Sequence, residues 1–519
     1  MHLATSFLNT VRTKPERIAA IDGDVRLNYA QFGERIARLA ASLHARGVSK
    51  GDRVALLMLN DFRYLEIFYA SFLLGAVVVP LNVRLAAPEL SFMLQDSGSE
   101  VLFYHHEFEP LVHAIQNDPL AIRHYVLAEG VPFKQIDATP YEELVQQAGV
   151  RPATDWHEED LAAIYYTGGT TGLPKGVMLT HKNLVANAFQ VGLSLGYGPD
   201  DIYLHAAPMF HVADGASTFG ITLVGGTHAH VRTFDPSRTL EVIARDKVTS
   251  TLLVPTMINA LVNTEGIEQY DLSSWRRCAY GASPISADVL KKAIAATGCE
   301  FFQAYGMTEA SPVLTILRPE DHVTEGDERL TRRLKSCGQP IFQVELKVVD
   351  PTGAEMPFGT VGEVIARGPN IMKGYWNRPE ETAQALRDGW YWSGDLGAMD
   401  GDHFVYIVDR KKDMIITGGE NVYSVEVENV IYRHPAVFEA AVVGVPDEKW
   451  GEAVKAVVVC KPGQHATEEE LLAHCREFLA GYKVPKSVEF VDALPKSGAG
   501  KILKRSLRDQ FWEGQARKV

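Results

Sequence analysis

The sequence predicts a mixed α/β protein of more than one domain. Three observations predict it. Apolar segments of helical and strand-like period alternate over the first 400 residues, the stretch 344–406 breaks into short strands at Gly and Pro turns, and the texture after Arg410 becomes a compact α+β unit. A chain of 519 residues exceeds a single core, so about three to four domain-sized units are expected.

The elements follow in order. Residues 29–46 put Phe32, Ile36, Leu39, Ala40 and Leu43 on one helical face, Gly47 ends the helix, and 53–59 reads as an apolar strand. Residues 66–74 read as helix and 76–80 as strand. The greasy run 67–81 is interrupted by Ser71, Gly75 and Pro80 and is too short to cross a bilayer. Residues 248–255 read as a buried strand before a helix through Ile258 and Leu261. Asp350-Pro351-Thr352-Gly353 and Asp400-Gly401-Asp402 are turn signals inside the β-rich stretch. Beyond it, Ser424 is predicted to cap a helix through Val430 that stops before Pro435. Strands follow at 440–445 and 456–460, and Thr467 opens a capping box with Glu470 for a helix to Leu479. No period of roughly 20 to 50 residues recurs, against a solenoid or propeller.

Composition narrows the function. Hydrophobic residues at 46% and charged residues at 22% supply a full core and exclude a largely disordered chain. A net charge of -14 offers no global basic field for nucleic acid, while a local basic site for ATP remains compatible with it. Cys278, Cys299, Cys337, Cys460 and Cys475 are odd in number and contain no CxxC pair, which argues against a disulfide framework or a zinc site and for a reducing compartment. Arg12, Lys14, Glu16 and Arg17 interrupt the first residues, with no secretory h-region. A soluble cytoplasmic protein is expected.

The most informative run is Tyr166-Thr167-Gly168-Gly169-Thr170-Thr171-Gly172-Leu173-Pro174-Lys175-Gly176. Closely spaced glycines let backbone N–H groups converge on an anion, threonines add hydroxyl donors, and Lys175 adds a point charge: phosphate-cradle chemistry. It lacks the Walker A spacing, and Lys175 is followed by a strand-like Val177 to Leu179, so a strand-loop-strand cradle is implied. That opposes a P-loop kinase or ATPase.

Taken with Tyr305-Gly306-Met307-Thr308-Glu309, Trp392-Ser393-Gly394-Asp395, Asp409-Arg410-Lys411-Lys412 through Gly418-Gly419-Glu420-Asn421, and Pro495-Lys496-Ser497-Gly498-Ala499-Gly500-Lys501, this loop resembles the AMP-forming adenylating family. That family includes acyl-CoA synthetases, peptide-synthetase adenylation domains and beetle luciferases. The resemblance covers nearly the whole chain, and the order and spacing of its motifs make it specific. One departure is Gly168, which stands where the family loop usually has Ser. The resemblance implies a large N-terminal domain, 1–410, of two α/β sheets plus a β-rich subdomain, and a small mobile α+β C-terminal domain, 411–519. It implies ATP, Mg²⁺ and CoA as cofactor and substrates.

The residues support this chemistry in their own right. Tyr305 offers a flat face for a purine, Thr308 a hydroxyl for a phosphate, and Glu309 a hard oxygen ligand for Mg²⁺. Asp395 suits two ribose hydroxyls, and Arg410 supplies a planar donor fork for the sugar or phosphate. By resemblance, Ala304 to Thr308 and Tyr280-Gly281-Ala282-Ser283-Pro284 surround the adenine and α-phosphate, while Thr167, Gly168, Gly169, Thr170, Thr171, Gly172 and Lys175 grip the outer phosphates. Lys412 corresponds to the hinge, a position a solvated lysine would fit equally well. The resemblance also implies that Gly418 and Gly419 line the pantetheine tunnel. His211, in Pro208-Met209-Phe210-His211, stands beside the acyl tunnel, whose walls are assigned to Asp214, Met307, Val313 and Leu314. Asp214 is open to two readings, a substrate amine or hydroxyl partner or a solvent-facing carboxylate. Lys501 places an ammonium between a carboxylate and an anionic α-phosphate.

The resulting expectation is an AMP-forming carboxylate–CoA ligase acting through acyl-AMP. A fatty acid is favoured by the Leu, Val and Ala of the tunnel segments, an aryl acid such as benzoate or cinnamate is the alternative, and loading of a carrier protein is the nearest rival reaction. A non-catalytic nucleotide sensor on the same fold is a further class, which would bind ATP without exchanging pyrophosphate. The partners are small molecules, with no nucleic acid and no transmembrane segment; oligomeric state is not legible.

Overall fold

The alternation of helix and strand in the first part of the sequence becomes two α/β sheets. The computed structural model describes the chain except residues 131–134, 148, 150–153, 168–173, 282–284, 286, 419, 448, 497–501 and 513–519. The described residues fall into two compact units, Met1–Glu345 with Ala366–Tyr391, and Leu346–Ile365 with Trp392–Val519.

In the first unit, eight described strands form one sheet. Arg53–Leu57 lies at its middle, parallel to Val77–Pro80 on one side and Val101–Tyr104 on the other. Their buried, unbroken apolar runs are what parallel strands covered on both faces require. Leu161–Thr167 continues the sheet, Lys175–Thr180 pairs antiparallel with it, and the two-residue strand Gly374–Tyr375 closes that edge. The other sheet has nine described strands. Its parallel core runs through Thr227–His230, Ile202–His205, Ser250–Leu253, Arg277–Gly281 and Glu300–Gly306, after which Val313–Leu317 turns back antiparallel.

The helix Phe62–Leu74 touches Val77–Pro80 of one sheet and Ile18–Asp22 and Thr227–His230 of the other. A helix so enclosed must be apolar all round, and nearly every one of its residues is buried. Its one acid, Glu66, accepts from Arg35 Nε at 2.5 Å and Tyr141 Oη at 2.7 Å. Two boundaries differ from the sequence reading. This helix starts at Phe62, capped by Asp61, and Pro255 opens the helix Pro255–Val262 instead of ending a strand, because its missing N–H is not needed in a first turn.

In the second unit, residues of Trp390–Met399 from 392 onward pair antiparallel with Val405–Arg410. A five-stranded sheet follows, built on Val437–Asp447 and Gly451–Cys460. Alternate residues of these strands serve two cores. Ala440, Val442, Ala456 and Val458 meet Val427, Ile431 and Leu471 of the helices Ser424–Ile431 and Glu468–Phe478, while Ala441, Val443 and Val457 meet Leu507 of Lys504–Phe511. The Thr467–Glu470 capping box is present as expected. Ser424, however, is not a cap. It is the first helical residue, and its N–H and hydroxyl both donate to the buried Asp409, which does the capping from the strand Val405–Arg410. No disulfide joins any of the five cysteines, and no helix among the described residues is long and apolar enough to cross a membrane.

Candidate active site

The antiparallel turn after Glu300–Gly306 organises the first unit's site. Gly306 faces Val313 across the turn, and Met307 N donates to Pro312 O at 2.9 Å. A Cβ on Gly306 would lie 1.9 Å from Pro312 O, so only glycine allows the approach. Thr308–Ala310 forms a single 3₁₀ turn, held from behind by the buried Asn370, whose amide donates to Ala310 O at 2.8 Å and Val313 O at 3.0 Å. Ala304 to Glu309 therefore form a partly exposed strip on a rigid support, with Gly281 registered against Ala304 on the next strand.

The predicted phosphate loop leaves from the other sheet of the same unit. Thr167 and Lys175 face each other where its two strands end, as a strand-loop-strand cradle requires. Trp376 N donates to Gly176 O at 2.7 Å and Trp376 Nε1 to Asp96 O at 2.9 Å, while Tyr166 Oη donates to Asp96 Oδ2 at 2.7 Å. Beside this anchor, Tyr375 Oη donates to Glu309 Oε1 at 2.8 Å, and Lys175 Nζ lies 5.2 Å from the Tyr375 ring centre. Burial, with Glu309 beside it, raises the Tyr375 hydroxyl well above the ordinary tyrosine range, so it remains a donor.

Ala304 also lines a small apolar cavity of about 20 Å³, walled by Leu195, Ala213, Ala216, Leu252, Phe302 and Val313 among others. Val313 was expected there; Asp214, Met307 and Leu314 are not among its walls. Asp214 is buried, its oxygens accepting from Tyr203 Oη at 2.8 Å and facing His205 Nδ1 at 2.6 Å, with His205 Nε2 3.0 Å from His228 Nδ1. Neither reading of Asp214 holds: it braces its own helix, Val212–Val224, whose residues 213 and 216 form the cavity wall. His211 precedes that helix, its ring 4.6 Å from Phe210 and its Nε2 buried without a partner. Burial, and Arg84 nearby, lower its pKa to about 4.

In the second unit, Asp395 and Arg410 are cross-strand partners, with Arg410 Nε 3.5 Å from the buried Asp395 carboxylate. Gly394 at φ 70° makes the bend, and its N–H donates to Glu363, which also holds Lys411 Nζ at 2.9 Å. Lys412 is half-buried, not solvated, and burial beside Arg410 lowers its pKa to about 8. Gly418 is exposed at φ 60°, and a Cβ there would meet the Trp450 ring at 2.7 Å.

Residues 7–376 match the family model described as AMP-binding enzyme, and residues 426–501 match the AMP-binding enzyme C-terminal domain. The chain belongs to the AMP-binding enzyme family. It is 43% identical to feruloyl-CoA synthase of Amycolatopsis sp over 501 residues, 96% of this chain and 97% of the relative. It is 37% identical to a long-chain-fatty-acid–CoA ligase of Mycobacterium tuberculosis over 491 residues, 94% of each. The o-succinylbenzoate coenzyme A synthetase from Bacillus subtilis in complex with ATP and magnesium ion superposes with a TM-score of 0.84 at 32% identity, covering 98% of each chain. The protein is an ATP-dependent, AMP-forming acid–thiol ligase of the acyl-CoA synthetase type, with ATP, Mg²⁺ and CoA as its cofactor and substrates.

The ligase's donor set fits Mg²⁺. One half-exposed carboxylate, Glu309, stands next to Thr308, leaving the other positions of an octahedron to phosphate oxygens and water. The cluster Asp61, His105 and Glu129 suits a metal less: His105 Nδ1 accepts from Leu59 N, which sets its proton on Nε2 facing Asp61, and Arg63 already holds that carboxylate at 2.8 Å. Of the residues singled out from the sequence, Gly168, Gly169, Thr170, Thr171, Gly172, Ala282, Ser283, Gly419 and Lys501 lie outside the described residues. The sequence reading missed Tyr375, Asn370 and most of the cavity wall. Ala213, Ala216 and Ser217 carry a helical i, i+3, i+4 signal that could have found them; Leu252, Ala279 and Phe302 come from separate strands and carry none.

Proposed function

We propose that the ligase activates a compact aromatic carboxylic acid of the benzoate or cinnamate type and passes it to CoA. The observation that carries this reading is the 43% identity to a feruloyl-CoA synthase over 96% of this chain, against 37% to a long-chain-fatty-acid–CoA ligase. That likeness outweighs the count of Leu, Val and Ala that favoured a fatty acid. The cavity beside Ala304 is apolar and small, about 20 Å³, with the bulky Leu252 and Phe302 among its walls.

The carboxylate oxygen attacks the α-phosphorus of ATP, pyrophosphate leaves, and the acyl-AMP stays bound. Tyr305 covers the adenine, Asp395 and Arg410 hold the ribose, Thr308 donates to the α-phosphate, and Thr167, Lys175 and the residues between them hold the outer phosphates. Glu309 would hold Mg²⁺, which neutralises phosphate charge when bound. Neutral His211 borders the carboxylate's path as a hydrogen-bonding group. The Lys501 ammonium offsets repulsion between the two anions. The domain from residue 411 then turns about Lys412, withdraws Lys501 and offers Gly418 and Gly419 to the pantetheine, whose thiol attacks the mixed anhydride and expels AMP. Free thiols and the use of ATP and CoA support a cytoplasmic site of action.

Pyrophosphate release across a panel of benzoates, cinnamates and medium and long fatty acids tests the acid, with AMP and CoA thioester measured for the best. Aromatic acids are expected to lead by about tenfold or more in kcat/KM, the scale a shaped apolar pocket supplies. A long fatty acid in first place would overturn the acid class, and thioester formation only on a carrier protein would overturn the acceptor. Ala216→Phe, which fills the cavity, is expected to abolish turnover of the best aromatic acid while leaving ATP binding intact.

A further inference from the structure

We propose that Tyr375 is a positioning residue for the nucleotide's phosphates, holding the carboxylate of Glu309 and the ammonium of Lys175 at a set separation. The proposal rests on the roles assigned above to Glu309 and Lys175. Those two residues belong to different sheets of the first unit: Glu309 follows the strand Glu300–Gly306, and Lys175 begins Lys175–Thr180. Tyr375 touches both. Its hydroxyl donates to Glu309 Oε1 at 2.8 Å, and its ring centre lies 5.2 Å from Lys175 Nζ.

The backbone around Tyr375 is tied to the same two elements. Tyr375 is registered with Val177, Lys373 N donates to Met178 O at 3.0 Å, Trp376 N to Gly176 O at 2.7 Å, and Met372 N to Glu309 O at 2.8 Å. Thr382 Oγ1 accepts from Tyr375 N at 2.9 Å and fixes the short strand from the outside. A neutral hydroxyl suits this task, since it orients one carboxylate oxygen without supplying a competing charge to the phosphates. Lysine and glutamate otherwise have several rotamers each, and a shared neighbour selects one for both.

Isothermal titration with MgATP and, separately, with AMP tests this on the full chain. Tyr375→Phe removes the hydroxyl and keeps the ring. It is expected to weaken MgATP binding about tenfold, the usual worth of a hydrogen bond to a charged group, and to leave AMP binding and the melting temperature unchanged. The Mg²⁺ concentration that half-saturates ATP–pyrophosphate exchange is expected to rise in parallel. In the Glu309→Gln background the same substitution should add little, because the two side chains act as one unit. Wild-type MgATP affinity and Mg²⁺ requirement in Tyr375→Phe would overturn the proposal. So would equal losses for AMP and MgATP, or full additivity with Glu309→Gln. A wild-type protein that bound no MgATP would overturn the site assignment beneath it, and a normal wild type with an indifferent Tyr375→Phe would overturn the Tyr375 role alone.

Discussion

Burial of the His211 ring, with Arg84 nearby, lowers its pKa from 6.5 to about 4, so the side chain is uncharged at neutral pH. Between those two values the unfolded chain binds a proton that the folded chain refuses, and stability therefore falls as pH drops from 6.5 toward 4. His211→Gln is expected to flatten this part of the acid-unfolding curve, followed by chemical denaturation at a series of pH values. The pH profile of kcat/KM should also show no inflection from His211 near 6.5. Gly306 is the sharpest local constraint: a Cβ 1.9 Å from Pro312 O cannot be housed, so Gly306→Ala should abolish ATP binding even if the protein still folds. Lys501 is argued from charge alone. An ammonium about 4 Å from an anion at an effective dielectric of 20 is worth about 4 kcal/mol, roughly three decades in rate, which sets the size of the role proposed for Lys501. Lys501→Ala should slow pyrophosphate exchange by that order and spare thioester formation from supplied acyl-AMP. Its motif was legible in the sequence; Tyr375, 66 positions from its partner Glu309, stands in no motif the sequence reading singled out.

Among the elements, the helix Ser424–Ile431 separates what local pattern reveals from what it conceals. Its apolar period was readable, and a serine near its start looked like a cap. In the fold Ser424 is buried and donates to Asp409, 15 positions earlier. Asp409→Ala leaves the Ser424 N–H and hydroxyl without this acceptor, and a loss of about 1–3 kcal/mol in urea denaturation is expected. Helix Glu468–Phe478 kept its predicted cap because both partners of the Thr467–Glu470 box lie within one turn. Helix Val212–Val224 is intermediate. Asp214 was visible as an odd acid in an apolar stretch, but its partners Tyr203 and His205 come from the strand before it, which made it a brace and not a ligand.

At the scale of the whole molecule, the proposed two-step reaction has one set of residues withdraw before another arrives. Lys412→Pro fixes φ at the proposed hinge and is expected to leave one half-reaction near normal while reducing the other by orders of magnitude. Separate assays of pyrophosphate exchange and of thioester formation from acyl-AMP check it; equal loss in both would remove the hinge from this position. By itself the sequence determined the α/β layering, the β-rich and α+β textures, the strands that flank the Thr- and Gly-rich loop and the order of the adenylating motifs. Each of these is written in spacings of a few residues, where helix period, strand alternation and turn chemistry act. Only the tertiary structure decided which residues wall the small apolar cavity, the bracing role of Asp214, the cap from Asp409 and the contacts of Tyr375 with Glu309 and Lys175. These arise where strands and helices distant in sequence enclose one volume or share one polar atom, and no local periodicity encodes which side chains will meet there.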